Sequence, residues 1–205
     1  MPLDLEQPTT CLITSGETTR KTTPAADEFR ALLSLVRSAV AARVTLVQLR
    51  EKNLRPRTLY ELAARAAEIT RESGTRLLVN DRADIARAAG ADGVHLAAGS
   101  LEASVVRRAF GDDFMIGVST HSLAEARGAR DGGADFAVFG PVFDTPSKRA
   151  YGPPLGLEKL AEAARALAPF PVVALGGVAR ENFRDVLRAG ARGVAAIRLF
   201  SDGEN

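Results

Sequence analysis

The chain has 205 residues, 46% hydrophobic and 25% charged, which is ordinary for a soluble globular domain with a real core. The formal net charge is only +2, the Lys and Arg residues are scattered, and tryptophan is absent, which argues against a nucleic-acid platform of basic and stacking side chains. No apolar run approaches the length of a bilayer span, and a single cysteine, Cys11, excludes a disulfide framework or a zinc knuckle within one chain. We therefore expect a cytoplasmic protein with no nucleic-acid or membrane partner.

Short apolar runs alternate with segments of helical periodicity along the chain. The runs predict eight β-strands, and apolar residues at spacings of three and four after the first seven indicate amphipathic helices. The predicted strands cover residues 11–14, 44–49, 77–79, 93–96, 115–118, 136–139, 172–175 and 193–197. The predicted helices are centred on residues 29–40, 59–69, 81–89, 101–110, 122–130, 157–167 and 183–187.

This alternation fits either an open doubly wound sheet or a closed barrel, and a repeat favours the barrel. Gly-Ala-Asp at 90–92, Gly-Ala-Asp at 133–135 and Gly-Ala-Arg at 190–192 precede strands four, six and eight, so one helix-to-strand turn recurs every second unit. We predict a single (βα)8 TIM-barrel domain over residues 1–205, with residues 1–10 as an N-terminal extension. Because about one turn of chain follows strand eight, we expect a vestigial or missing eighth helix and a homodimer or larger assembly.

Polar residues collect where the predicted strands end, and this face carries the active site of barrel enzymes. Strand two ends in Gln48-Leu49-Arg50-Glu51-Lys52, where alternation aims Gln48, Arg50 and Lys52 the same way. A planar guanidinium beside a lysine charge suits a phosphate or diphosphate. The alternative is a solvated loop, but Gln48 argues against it, because a polar group inside an apolar strand needs a partner.

The ends of strands three and five each leave two interpretations open. Asp81, which follows Asn80, is either the N-cap of the next helix or a ligand for Mg²⁺ beside a diphosphate. His121 is either an acid and base at the barrel mouth or a plain loop residue. Ser122 is a candidate N-cap with Glu125 at the capping-box position.

The loop after strand six is the longest and carries two hydroxyls and two cations. A loop of this length is typical of a lid or a binding loop, although a solvated connector is the simpler alternative. Gly140 and Gly152, at its ends, are expected to allow it to move. The polar residues between them are Thr145, Ser147, Lys148 and Arg149.

Gly176 and Gly177 follow strand seven, and Arg198 lies near the end of strand eight. Paired glycines let backbone amides approach an anion closely, and the loops after strands seven and eight commonly hold a phosphate in barrels. Together with the cations after strand two, these residues predict phosphate-binding groups on two sides of the mouth.

The order and spacing of several short motifs resemble the thiamine phosphate synthases and their relatives, the thiazole tautomerases (TenI-type proteins), over nearly the whole chain. The motifs are Gln-Leu-Arg-Glu-Lys at 48–52, Val-Asn-Asp-Arg at 79–82, Asp-Gly-Val-His-Leu at 92–96, Gly-Val-Ser-Thr-His-Ser at 117–122, Phe-Gly-Pro-Val-Phe-Asp-Thr-Pro-Ser-Lys at 139–148 and Ala-Leu-Gly-Gly-Val at 174–178. The synthases join hydroxymethylpyrimidine diphosphate to a thiazole phosphate and release diphosphate. The resemblance thus implies a transferase of thiamine biosynthesis with these two small phosphorylated substrates.

The resemblance also implies roles for individual residues. Those expected to bind the pyrimidine diphosphate are Gln48, Arg50, Lys52 and Asn80, with Asp81 on Mg²⁺. Those expected to neutralise the departing diphosphate are Ser119 and Lys148. Those expected to hold the thiazole phosphate are Thr145, Ser147 and Gly177.

Two positions depart from the synthase pattern. Ser100 stands where the synthases place a second magnesium carboxylate, which should weaken Mg²⁺ binding unless Glu102 or water substitutes. Arg198 stands where they place a serine of the strand-eight phosphate loop. A tautomerase needs no metal and would use His121 to aromatise the carboxythiazole phosphate, so Ser100 keeps that alternative open. A third alternative is a non-catalytic protein that binds thiazole phosphate or thiamine phosphate, or a regulatory protein; the synthase is the leading prediction.

Overall fold

The computed structural model describes residues 7–145 and 152–197, and eight parallel strands in it close into a barrel. The strands are β1 Thr9–Ile13, β2 Leu46–Leu49, β3 Arg76–Asn80, β4 Gly93–Leu96, β5 Met115–Thr120, β6 Phe136–Phe139, β7 Val172–Leu175 and β8 Gly193–Ala196. The helices are α1 Asp27–Ala41, α2 Pro56–Thr70, α3 Ala83–Ala89, α4 Ala103–Phe110, α5 Leu123–Asp131, α6 Gly156–Leu167 and α7 Phe183–Arg188. The predicted (βα)8 fold is confirmed, and no helix in the described part has the length and apolarity of a membrane span.

Side chains from alternate strand positions fill the barrel interior, so it is a packed core rather than a channel. Gly117 leaves the room that this packing requires, since a Cβ there would lie 2.4 Å from the Phe136 ring and 2.9 Å from His95 Nδ1. The interior is thus filled with side chains, and the polar groups discussed below lie at its carboxyl end. The buried apolar residues of the interior are Cys11, Ile13, Leu46, Leu78, Met115, Phe136, Val138, Val173 and Ala195.

The repeated turn before the even-numbered strands has a physical cause. Its three glycines have φ of 73°, 84° and 90°, which glycine accepts without steric cost. The aspartate that follows in two of the repeats accepts the backbone N–H of the second residue of the neighbouring strand: Asp92 from Leu77 and Asp135 from Ile116, at 2.8 and 2.6 Å. The repeat thus ties the start of one strand to the strand beside it.

Several predicted boundaries were wrong because the pairing of neighbouring strands, not local composition, sets them. β1 covers Thr9–Ile13, paired with β8 and β2, so Thr9 and Thr10 belong to the barrel and not to an extension. β5 continues to Thr120, which makes Ser119 a strand residue opposite Val138. Residues after Ile197 lie outside the described part, so the missing eighth helix and the larger assembly stay predictions.

Candidate active site

Gln48 and Asn80 form a buried pair at the mouth of the barrel. Gln48 is 2% exposed and Asn80 8% exposed, and Gln48 Nε2 donates to Asn80 Oδ1 at 2.9 Å. The prediction that Gln48 needs a partner is therefore confirmed. Its other amide atom, Oε1, is buried without a hydrogen-bond partner among the described residues. A buried acceptor without a donor costs free energy, and a ligand N–H would satisfy it.

Asp81 extends this network to the loop after β4. Its Oδ2 accepts from Asn80 Nδ2 at 2.8 Å, and its Oδ1 accepts from the backbone N–H of Ala97 at 2.8 Å and from the hydroxyl of Ser100. Helix α3 starts at Ala83 with no side-chain cap. The N-cap interpretation of Asp81 is therefore wrong, because its carboxylate is engaged by the β4–α4 loop instead.

The residues around Asp81 fit Mg²⁺ only as a partial site. Asp81 is exposed, and the oxygen of Ser100 lies beside its carboxylate. In the described part of the chain, no group of three or more His, Cys, Asp or Glu residues is placed to hold a metal ion. Because Mg²⁺ commonly takes one or two carboxylates and completes its shell with substrate phosphates and water, a diphosphate would have to supply the missing ligands.

His95, which the sequence predictions did not single out, lies in β4 between Asn80 of β3 and Gly117 of β5. It is 3% exposed, and burial lowers its pKa to about 4 against the opposing effect of the Asp81 charge, so the ring is neutral at pH 7. Nε2 lies 2.8 Å from Ser119 Oγ, and Nδ1 has no partner among the described residues. We assign the proton to Nε2, because buried N–H groups without an acceptor are rarer than unpaired acceptors.

That assignment defines the state of Ser119. With His95 donating to its Oγ, the Ser119 hydroxyl keeps its own proton free to donate. Since Ser119 is half-buried near the end of β5, the structure places at the mouth a hydroxyl whose orientation depends on a neutral histidine.

The cations after β2 alternate with a buried carboxylate. Arg50 is half-buried and Lys52 is exposed, whereas Glu51 between them is only 2% exposed. The Glu51 carboxylate accepts hydrogen bonds from the hydroxyls of Thr14 and Thr18, both at 2.5 Å. Sequence reasoning missed Glu51, because a glutamate between two cations after a strand looks like part of a solvated loop.

His121 is fixed at the end of β5 through both its backbone and its ring. Its Nδ1 is hydrogen-bonded to the carbonyl of Gly140, so Nδ1 is the donor, and Nε2 has no partner among the described residues. The capping box is confirmed: Ser122 Oγ accepts from the N–H of Glu125 at 3.2 Å, and the Glu125 carboxylate accepts from the N–H of His121 at 2.8 Å.

Gly176 and Gly177 are required by close backbone packing against the loop after β6. Their φ values are 94° and 64°. A Cβ on Gly177 would lie 2.6 Å from Phe143 Cβ and 2.7 Å from the carbonyl oxygen of Asp144. The N–H of Phe143 also donates to the Gly176 carbonyl at 2.9 Å, which joins the two loops. Thr145, the residue after Asp144, is half-buried.

Backbone donors in the loop after β7 are unused among the described residues. The N–H groups of Gly177 and Val178 donate to no acceptor in the described part of the chain. Asn182 closes the turn, since its Nδ2 donates to the Gly177 carbonyl and its Oδ1 accepts from the N–H of Ala179, both at 2.9 Å. Successive free amides at the end of a barrel strand suit a phosphate.

Gly140 does not act as the expected hinge of the β6 loop. It is buried, its N–H donates to the Thr120 carbonyl at 3.1 Å, and a Cβ there would lie 2.1 Å from the carbonyl oxygen of Leu175. Its glycine is explained by close approach to β7 rather than by movement. Ser147, Lys148, Arg149 and Arg198 lie outside the described residues.

The fold and this polar mouth define the class of protein: a (βα)8 barrel whose carboxyl face, the face that binds phosphorylated small molecules in barrel enzymes, carries a hydrogen-bonded side-chain network and free backbone amides. Comparison with known proteins makes this specific. The family model described as thiamine monophosphate synthase matches residues 21–200. The chain belongs to this family.

Similar proteins agree with this assignment. A putative thiamine-phosphate synthase of Geobacter sulfurreducens is 51% identical over 168 residues, which are 82% of this chain and 78% of the relative. A thiamine-phosphate synthase of Moorella thermoacetica is 45% identical over 82% of this chain and 80% of its own length. The solved structure of a thiamine phosphate pyrophosphorylase from Pyrococcus furiosus matches with a TM-score of 0.78 and 33% identity, covering 94% of this chain and 87% of that one.

Proposed function

We propose that this protein is a thiamine-phosphate synthase, which couples hydroxymethylpyrimidine diphosphate with a thiazole phosphate to give thiamine phosphate and diphosphate. The observation that carries the proposal is the network from Gln48 through Asn80 to Asp81, with Arg50 at its edge. The relatives named as synthases support the same activity.

The buried part of the network suits the pyrimidine ring. Gln48 Oε1 is an acceptor that lacks a donor, while Gln48 Nε2 is held by Asn80. A pyrimidine that donates an N–H to this oxygen would remove an unsatisfied buried group, which contributes about 1–3 kcal/mol to binding. The same group would reject rings without a donor at that position.

The exposed part of the network suits the diphosphate. Arg50 and Lys52 would bind its oxygens, the free hydroxyl proton of Ser119 would donate to it, and Lys148 would neutralise its charge as the bond between the pyrimidine methylene carbon and the diphosphate oxygen breaks. Asp81, helped by Ser100, would hold Mg²⁺. When bound, Mg²⁺ supplies further positive charge against the leaving diphosphate.

The other side of the mouth suits the thiazole phosphate. The amides of Gly177 and Val178 and the hydroxyl of Thr145 would bind its phosphate, together with Ser147, Gly176 and Arg198. The thiazole nitrogen then captures the pyrimidine methylene cation and forms the new carbon–nitrogen bond. That nitrogen attacks through its own lone pair, so the residues supply positioning and charge rather than a general base.

Thiazole tautomerase activity is a second candidate, favoured by Ser100 and by His121. His121 has one ring nitrogen held by a backbone carbonyl and the other unpaired among the described residues, which suits an acid and base. Under the synthase proposal the same histidine only shapes the β5–α5 turn. Its substitution therefore separates the two activities.

Incubation of the purified protein with both synthase substrates, with and without Mg²⁺, tests the proposal. We expect thiamine phosphate and diphosphate in equal amounts when Mg²⁺ is present, and the same product from His121→Ala. No thiamine phosphate at any Mg²⁺ concentration would overturn the proposal. Isomerisation of the carboxythiazole phosphate that is lost in His121→Ala would then assign the tautomerase, and thiazole-phosphate binding without either activity would assign a binder.

We further propose that the protein acts in the cytoplasm as a homodimer or larger assembly. Sedimentation as a monomer at micromolar concentration would contradict it.

A further inference from the structure

Glu51 holds the loop between β1 and α1 with four hydrogen bonds, and we call this group of residues the Glu51 clamp. Its Oε1 accepts from the Thr14 hydroxyl at 2.5 Å and from the N–H of Gly16 at 3.3 Å. Its Oε2 accepts from the Thr18 hydroxyl at 2.5 Å and from the Thr18 N–H at 3.4 Å. Every donor of the clamp belongs to the five residues that follow β1.

The clamp also touches Arg50, the half-buried cation at the mouth. Thr14 Oγ1, which donates to Glu51, accepts from the backbone N–H of Arg50 at 2.9 Å. Gly16 lies directly against Arg50, since a Cβ at this glycine would be 3.0 Å from the Arg50 carbonyl oxygen and 3.4 Å from its Nη1. The main chain of Arg50 and one side of its guanidinium are therefore confined by the loop that Glu51 fixes.

The burial of the Glu51 carboxylate points to a function. Glu51 is 2% exposed, and within the described residues it forms no ion pair with a cation. A buried carboxylate without a cation is tolerated only because its donors replace the lost water. An apolar residue at position 51 would fill the same space without burying a charge. It could not accept the hydrogen bonds that hold the β1–α1 loop over the end of β2.

We propose that Glu51 is a positioning residue that holds the β1–α1 loop against Arg50, so that the Arg50 guanidinium is presented to the diphosphate of the substrate. The identity of that substrate rests on the proposed function, whereas the effect on anion binding does not. Glu51 itself touches no substrate in this account, because its two oxygens are taken by the loop.

Calorimetric binding of inorganic diphosphate, in the presence of Mg²⁺, tests the clamp without requiring turnover. We expect Glu51→Gln, which keeps the shape and removes the charge, to weaken diphosphate binding at least tenfold and to leave thiazole-phosphate binding within twofold of the wild type. The matched control is Glu61→Gln on the outer face of α2, where the carboxylate forms only a partly exposed pair with Arg57 at 3.3 Å. It should bind both ligands like the wild type.

A milder variant covers the case in which Glu51→Gln fails to fold. Thr18→Val removes one hydroxyl donor of the clamp and leaves Glu51 in place, and we expect a several-fold loss of diphosphate affinity alone. If the binding of both ligands weakens equally and the melting temperature falls, Glu51 has a purely structural role and the proposal is overturned. Wild-type affinity for diphosphate in folded Glu51→Gln would overturn it as well.

The same experiment distinguishes this inference from the proposed function. A wild-type protein that makes no thiamine phosphate, but whose diphosphate binding is lost selectively in Glu51→Gln, would contradict the synthase and support the clamp. A protein that makes thiamine phosphate with unchanged kinetics in Glu51→Gln would support the synthase and contradict the clamp. For an active enzyme, we expect the KM for the pyrimidine diphosphate to rise in Glu51→Gln and the KM for the thiazole phosphate to stay constant.

Discussion

The two halves of the barrel mouth are built in different ways. From β2 to β5, side chains hold one another: Gln48 binds Asn80, Asn80 binds Asp81, and His95 binds Ser119. After β6 and β7, the backbone is itself the framework, with glycines that let two loops touch and amides left free. We call these the side-chain half and the backbone half.

The difference suggests how each half tolerates change. In the side-chain half, a substitution removes one functional group and leaves the fold, because the barrel interior below it is packed separately. In the backbone half, a Cβ added at Gly140, Gly176 or Gly177 would clash with a neighbouring strand or loop, so function and packing fail together at these positions. The predictions below test this contrast, from the largest expected effect to the smallest.

Gly177→Val should be the most damaging change. Its side chain would meet Phe143 and the Asp144 carbonyl, and its positive φ is strained for a β-branched residue, so we expect a loss of about 3 kcal/mol or more in the free energy of unfolding. We expect a lower melting temperature in thermal unfolding and weaker binding of thiazole phosphate. The control is Gly128→Ala in α5, where nothing lies within 4 Å of an added Cβ and where stability should hold or rise by up to about 1 kcal/mol.

Gln48→Leu should separate activity from stability. It removes the unpaired oxygen that we assign to the pyrimidine, so kcat/KM for the pyrimidine diphosphate should fall about 100-fold, equivalent to about 3 kcal/mol. The free energy of unfolding should change by about 1 kcal/mol, because one buried hydrogen bond to Asn80 is lost and one unsatisfied acceptor is removed. A parallel collapse of stability would show that the side-chain half is no more tolerant than the backbone half.

His95 should make the protein less stable in acid. Burial depresses its pKa from 6.5 to about 4. Between these two pH values the ring is protonated in the unfolded chain and neutral in the folded chain. Stability from this group is complete above pH 6.5 and is lost as the pH falls towards 4, by about 2 kcal/mol between pH 7.5 and pH 5. Chemical denaturation at both pH values should show a smaller loss in His95→Gln than in the wild type.

Ser100→Asp should strengthen Mg²⁺ binding. A second carboxylate beside Asp81 adds negative charge and an oxygen ligand, so we expect about tenfold tighter Mg²⁺ binding, or about 1.4 kcal/mol, by calorimetry in the absence of substrate. Asn at the same position is the uncharged control. An unchanged affinity would mean that Asp81 is not the metal ligand.

The sequence predicted the barrel well because strands buried on both faces are continuous apolar runs, and turns that repeat every second unit indicate closure. Gln48 stood out for the same reason, as a polar residue within such a run. His95 carries that signal too, inside β4, and was overlooked because a histidine among apolar residues is often a satisfied core residue.

The remaining misses concern partners far along the chain. The Asp81 carboxylate accepts hydrogen bonds from residues 16 and 19 positions later in the chain. The Glu51 carboxylate accepts them from residues 33 to 37 positions earlier. No local pattern distinguishes such a carboxylate from an N-cap or from a solvated charge. The parallel pairing of β1 with β2 and of β3 with β4 makes these contacts.

The most direct test of the two-half account is a calorimetric comparison of the wild type, Arg50→Gln and Gly177→Val, each titrated with inorganic diphosphate plus Mg²⁺ and with thiazole phosphate. We predict that Arg50→Gln loses diphosphate binding and keeps thiazole-phosphate binding, and that folded Gly177→Val shows the opposite. Loss of both ligands in both variants would contradict the account, because the mouth would then be a single site without separate halves.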